Sequence, residues 1–173
     1  FKNTASDTVN LGKETLYKLF VDEAQVLAKN GVDIMLPEYV WSIDDCIVAV
    51  DASATTGLPV FLGITNRETR KNKTHKLGQL ASGETLKDLA ESLKGHAVDA
   101  ILLMCETPEA ISASIPILRS VYDGPIGCYP NIGYSGHPED RFQTVDYTIK
   151  EIFEYALEWK QMGANIIVYS LLR

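Results

Sequence analysis

The sequence is poor in the residues from which most enzyme signatures are built. Cysteine occurs three times (Cys46, Cys105, Cys128) and histidine three times (His75, His96, His137) in 173 residues. No CxxC pair is present, so no disulfide framework or zinc ribbon is encoded, and the odd, sparse set suits a reducing, cytoplasmic-type compartment. No HxH or HExxH pattern occurs, which leaves a histidine-based metal site unsupported. GxGxxG, the P-loop and GxSxG are all missing, so nucleotide binding and serine-hydrolase chemistry have no residues to stand on. No apolar run approaches the ~20 residues of a membrane span. Basic residues are also in deficit: 16 Lys and Arg stand against 23 Asp and Glu, for a net charge of −7. That balance argues against nucleic acid or an anionic membrane as a partner. The densest basic stretch, Arg67 to Lys76, lacks interleaved aromatics and reads as a solvated loop.

What is present is ordinary globular material, 46% hydrophobic and 23% charged, in a chain long enough for a real core. It carries a repeat. A small residue, an Asp or Asn and an apolar run follow one another at Val32-Asp33-Ile34-Met35-Leu36, Val98-Asp99-Ala100-Ile101-Leu102 and Ala164-Asn165-Ile166-Ile167-Val168. From 33 to 99 and from 99 to 165 is the same step of 66 residues. Two runs opened by proline, at Pro59 and Pro125, lie between them and are again 66 apart. Such a period is two βα units of ~30 residues each.

The five apolar runs predict parallel strands near 33–37, 59–65, 99–105, 125–129 and 165–169, buried on both faces. Helices are predicted between them. Leu16 to Ala28 has one apolar face, and Ser42 caps a helix with Asp44 and Asp45 in its first turn. Ser82 opens Leu86 to Leu93, Thr107-Pro108 opens Ala110 to Leu118, and Thr144 to Met162 is the longest helix, ending at Gly163. No linker interrupts residues 1–173, which read as one domain. Alternating β and α means a parallel sheet covered by helices. A doubly wound open sheet and about five-eighths of a (β/α)₈ barrel both satisfy that pattern. The polar stretch from Phe1 to Lys13 without a strand, and the last strand running to Arg173 without a helix, favour a barrel segment cut on both sides.

Either architecture places ligands at the carboxyl ends of the strands. The first predicted strand ends at Glu38, a carboxylate suited to an ammonium group, to acid–base work, or simply to capping a helix. The second ends at Thr65-Asn66. The third ends at Cys105, a thiolate ligand, a nucleophile or a small buried hydrophobe. The fourth ends at Pro130-Asn131, a turn shaped around a ligand, and the fifth at Tyr169-Ser170. Cys46 and Cys128, inside a predicted helix and strand, read as core.

Taken together these strand ends resemble a known family. Gly31-Val32-Asp33 through Glu38-Tyr39, Gly57-Leu58-Pro59-Val60, Ala100 to Cys105 with Thr107-Pro108-Glu109, Tyr129-Pro130-Asn131-Ile132-Gly133, and Glu158-Trp159 through Ile167 are similar, in order, to the motifs of homocysteine S-methyltransferases. The resemblance covers nearly the whole chain and implies a partial (β/α)₈ TIM barrel, about strands four to eight. It implies methyl transfer from an onium or folate donor to the thiolate of homocysteine, with zinc lowering the thiol pKa. It makes Cys105 a metal ligand, Glu38 the contact to the substrate ammonium, and Thr65 and Asn131 further substrate-binding residues. The chain departs from the family in two places. Val168-Tyr169-Ser170-Leu171 stands where the family has Gly-Gly-Cys-Cys, and Met104 stands where it has Asn. One cysteine falls short of the about three protein ligands of catalytic zinc, so a zinc-less relative that binds a small amino acid or another chain is the competing expectation. Exposed strand edges predict a homo-oligomer.

Overall fold

The computed structural model of the chain describes residues 12–38, 40, 42–65, 77–80, 82–130 and 147–168. Its elements run α1 (Lys13–Lys29), α2 (Ile43–Ala54), β1 (Phe61–Ile64), α3 (Leu86–Ser92), β2 (Ala100–Glu106), α4 (Pro108–Arg119), β3 (Ile126–Pro130), α5 (Ile149–Gln161) and β4 (Ile166–Ile167). The sheet order is β1-β2-β3-β4, and every pairing is parallel.

Short polar side chains start the helices by accepting from otherwise orphaned N–H groups. Ser42 accepts from Asp45 at 3.2 Å and Thr107 from Ala110 at 3.3 Å, as the sequence predicts. Two starts differ from expectation. Thr85 caps α3 in a reciprocal box with Asp88, and the Ser82 hydroxyl bonds the Glu84 carboxylate instead. Thr148 caps α5 in a box with Glu151, so that helix begins at Ile149 and not at Thr144, which lies outside the described residues. In both cases a Thr-x-x-acid sequence satisfies two donors at once, which a lone hydroxyl cannot do. α5 is therefore 13 residues long, and α1, with 17, is the longer helix.

The first predicted strand is reduced to a single parallel bridge, Met35 to Val60. Three backbone bonds still align it with β1: Met35 N–H to Pro59 O (2.8 Å), Phe61 N–H to Met35 O (2.8 Å) and Gly63 N–H to Pro37 O (2.9 Å). Pro37 has no N–H to continue the ladder, which is why the pairing stops short of a full strand.

The step of the repeat from Asp99 to Asn165 has a structural cause. Asp99 Oδ2 accepts from the Val60 N–H at 2.8 Å while the Asp99 N–H donates to Val60 O at 2.8 Å. One period later, Asn165 Oδ1 accepts from the Ile126 N–H at 3.1 Å and the Asn165 N–H donates to Ile126 O at 2.8 Å. Each is a side-chain latch between the amino ends of two neighbouring strands. Arg119 reinforces the second, donating to Asn165 Oδ1 and to the carbonyls of Gly163, Gly124 and Tyr122.

Alternation gives the sheet two faces. Leu62, Ile64, Ile101, Leu103, Ile126 and Cys128 join Cys46, Val50, Leu89, Ile111, Ile115 and Trp159 in a core between sheet and helices. Burial pushes the thiols of Cys46 and Cys128 up to about 12, as befits packing residues. The Trp159 Nε1–H donates to Ser112 Oγ at 2.8 Å, and its ring stacks on Tyr155 with centroids 5.7 Å apart. On the opposite face, a Cβ on Gly127 would come 2.4 Å from Leu102 Cγ, so that position admits no side chain without repacking.

Replacing Asn165 with Ala strands the buried Ile126 N–H. The expected cost is about 1–3 kcal/mol, read by urea unfolding, with Asn165→Asp retaining most of the stability because it keeps the acceptor oxygen. An alanine variant as stable as the parent would remove the latch from the account.

Candidate active site at the carboxyl ends of the strands

Three of the four predicted site residues fall on described positions, and they belong to neighbouring strand ends. The Gly63 N–H to Pro37 O bond holds the segment that carries Glu38 against β1. Thr65 directly follows β1, one step beyond the Ile64–Leu103 pair, which sets it level with Met104 near the end of β2. Asn131 follows Pro130 of β3 and lies outside the described residues, as do Tyr169, Ser170 and Leu171.

Glu38 is partly buried, and burial raises its carboxyl above the ordinary 4.5. It lines a cleft of about 290 Å³ between α1, the Met35–Val40 segment and α2, with Phe20, Glu23, Met35 and Ser53 among the walls. Its Cγ also approaches Gly63, lying 3.3 Å from where a Cβ would sit. Thr65 Oγ1 is buried without a hydrogen-bond partner. An unsatisfied buried hydroxyl costs stability, and a water or a ligand is what would satisfy it.

Cys105 occupies the left-handed region at φ 56°. The register slips around it: Met104 pairs with Tyr129 and Glu106 with Pro130. This is a bulge, which re-aims the thiol and leaves it partly exposed at the strand end. A non-glycine residue held there stores ~1–3 kcal/mol of strain, the kind of feature that collects at functional sites. Glu106, next to it, is only 1% exposed. The sequence reading passed over this carboxylate, although its place at the end of an apolar run was a usable signal.

The described residues contain no group of three or more His, Cys, Asp or Glu able to hold a metal ion. Cys105 is one donor where zinc needs about three, so these residues alone do not fit a catalytic zinc. None of the three cysteines forms a disulfide. A second acidic surface, on α4 and α5, is helix packing: burial works to raise the Glu109 carboxyl, but hydrogen bonds from Tyr155 and Tyr147, each 2.7 Å, outweigh it and hold it low.

Parallel strands alternating with helices, with candidate groups gathered at the carboxyl ends, define an α/β protein of the TIM-barrel type. The chain belongs to the homocysteine S-methyltransferase family, whose pattern it matches over residues 2–168. It is similar to homocysteine S-methyltransferase 3 of Zea mays, 27% identical over 168 residues, which cover 90% of this chain and 45% of that protein. In fold it is similar to the homocysteine methyltransferase MmuM from Escherichia coli. The apo form superposes with a TM-score of 0.69 at 19% identity over 91% of this chain and 51% of that one. The metallated form gives 0.67 at 19% identity over 88% and 46%. The chain thus spans about half the length of the relatives it matches. Among the described residues no helix is long and apolar enough to cross a membrane.

With its carboxyl raised by burial, Glu38 keeps its proton to higher pH in the folded chain than in the unfolded one. The resulting stability is full below about 4.5 and is lost as pH rises through the folded value. Glu38→Gln is therefore expected to be more stable than the parent at neutral pH, the gap closing on acidification. Parallel stability curves for the two proteins from about pH 3 to 7 would contradict the burial of this carboxyl.

Proposed function

We propose that this chain forms the homocysteine-binding portion of a homocysteine S-methyltransferase barrel, in which methyl transfer yields methionine. What carries the reading is a carboxylate and an orphaned buried hydroxyl on adjacent strand ends, Glu38 and Thr65, in a chain of this family. A carboxylate in a partly dry setting pairs strongly with an α-ammonium group. The Thr65 hydroxyl donates to the substrate carboxylate, and Asn131 shapes the floor.

In the reaction, the homocysteine thiol gives up its proton and its sulfur attacks the methyl carbon of an onium or folate donor. The new S–CH₃ bond forms as the donor's bond to that methyl breaks, and the bonding pair stays on the donor. Zinc is the cofactor that the family resemblance implies, with Cys105 as the donor that this chain offers. The remaining ligands have to come from beyond the described residues, and Tyr169, Ser170 and Leu171 bring no thiol. A cytoplasmic location goes with this reading.

The strand edges supply the proposed partner contact. Ile34 and Leu36 are 44% and 40% exposed at the first edge, and Ile167 is 42% exposed at the last. Apolar edges with unpaired backbone groups associate, and a second copy of the chain covers them in this proposal.

Calorimetric titration with homocysteine tests the site. Glu38→Gln is expected to weaken binding about tenfold or more. Thr65→Val is expected to weaken it several-fold while leaving stability unchanged or raised by up to ~1 kcal/mol. A Thr65→Val protein that binds homocysteine undiminished would remove Thr65 from the site, and a parent that binds none would end the reading. The dialysed protein is expected to carry zinc well below one equivalent and to scatter light as a species heavier than 19.1 kDa. One equivalent of zinc, lost on Cys105→Ser, would mean that other donors complete the metal site.

A further inference from the structure

The face of the sheet turned away from the helix core carries a close-packed arrangement. Two large side chains of β2, Leu102 and Met104, each lie over a glycine of a neighbouring strand. Leu102 lies over Gly127 of β3, and Met104 lies over Gly63 of β1. At Gly63 a Cβ would come 2.7 Å from Met104 Sδ, 3.3 Å from Glu38 Cγ and 3.4 Å from Pro37 O. Thioether and carboxylate side chain therefore converge on one spot, which is open only because residue 63 has no side chain. Met104 is 1% exposed, so it is held within the packed interior.

We infer that Met104 is the positioning residue for Glu38: bedded on Gly63, its thioether walls one side of that carboxylate from water and holds it ready to pair with an ammonium group. The inference rests on the amino-acid reading of the site given above. The packing has an electrostatic consequence of the right sign. Apolar matter beside a carboxylate disfavours its ionised form, and burial is what raises Glu38. The same dry surroundings strengthen its attraction for a cation that enters. Among the described residues that line the cleft, Glu23 of α1 is the one other ionisable group, and α2 contributes Ala49 and Ser53. On the side of Met104, β2 carries Cys105 and the buried Glu106 one and two residues further on.

The experiment is a carbon-13 titration of the full chain labelled at glutamate, with the Glu38 carboxyl signal identified by its loss in Glu38→Gln. In the parent its midpoint is expected above the ordinary glutamate value of about 4.3. In Met104→Asn the midpoint is expected to fall back towards that value. Met104→Ala, which admits water where the thioether lay, serves if the asparagine variant does not fold. Met104→Leu, of similar volume and polarity, is expected to keep the parent's midpoint, and Glu23→Gln to leave it in place. Homocysteine affinity, measured on the same proteins, is expected to drop roughly three- to tenfold in Met104→Asn or Met104→Ala and to be restored in Met104→Leu. A midpoint that stays put when the thioether is removed overturns the inference, whatever happens to binding. A midpoint that falls as expected in a protein that never binds homocysteine supports the packing of Met104 on Glu38 and overturns the amino-acid reading instead.

Discussion

Asp99 on Val60, and Asn165 on Ile126 one period later, hold the amino ends of adjacent strands in register, and the candidate site at the other end depends on that register. In a parallel sheet a one-residue slip would turn every lumen-facing side chain into the helix layer. Here it would take Gly63 out from under Met104 and Gly127 out from under Leu102. The latches achieve this by using a side-chain oxygen for a backbone N–H at the strand entrance, where no neighbouring carbonyl is in line. The division of labour is familiar in α/β architecture: stability at the amino ends, chemistry at the carboxyl ends.

At the carboxyl ends the chain tolerates local costs. Glu38 is partly buried against its preference for water, Thr65 Oγ1 goes without a partner, and Cys105 sits at positive φ in a bulge. Each would be a defect in the core. They fall on three successive segments at the carboxyl side of the sheet, while the core around Trp159 and Leu103 is conventionally packed.

Much of this was legible in the sequence, for physical reasons that can be named. The Asp/Asn repeat was visible because each latch needs the same short oxygen-bearing side chain at the same point of the unit. The strand ends at Thr65 and Cys105 were visible because buried parallel strands read as unbroken apolar runs closed by polar residues. Other features were hidden because they belong to no single segment. That Met104 lies on Gly63 beside Glu38 joins three elements, and the cost at Thr65 is the lack of a partner anywhere in the fold. The bulge at Cys105 depends on pairing with β3 and leaves no mark in the local sequence. Pro37 did carry a signal, a missing donor within the first predicted strand, and it accounts for the single bridge there.

Trp159 gives the fold an internal optical label. Its indole is fully buried, hydrogen-bonded to Ser112 of α4 and stacked on Tyr155 within its own helix. Its emission therefore originates in a rigid apolar setting where α5 meets α4, far along the chain from Glu38. Separation of those helices would expose the ring to water and shift its light to longer wavelength, so the docking of α5 on α4 can be followed by fluorescence, without a label, in a protein whose second tryptophan, Trp41, is replaced by Phe.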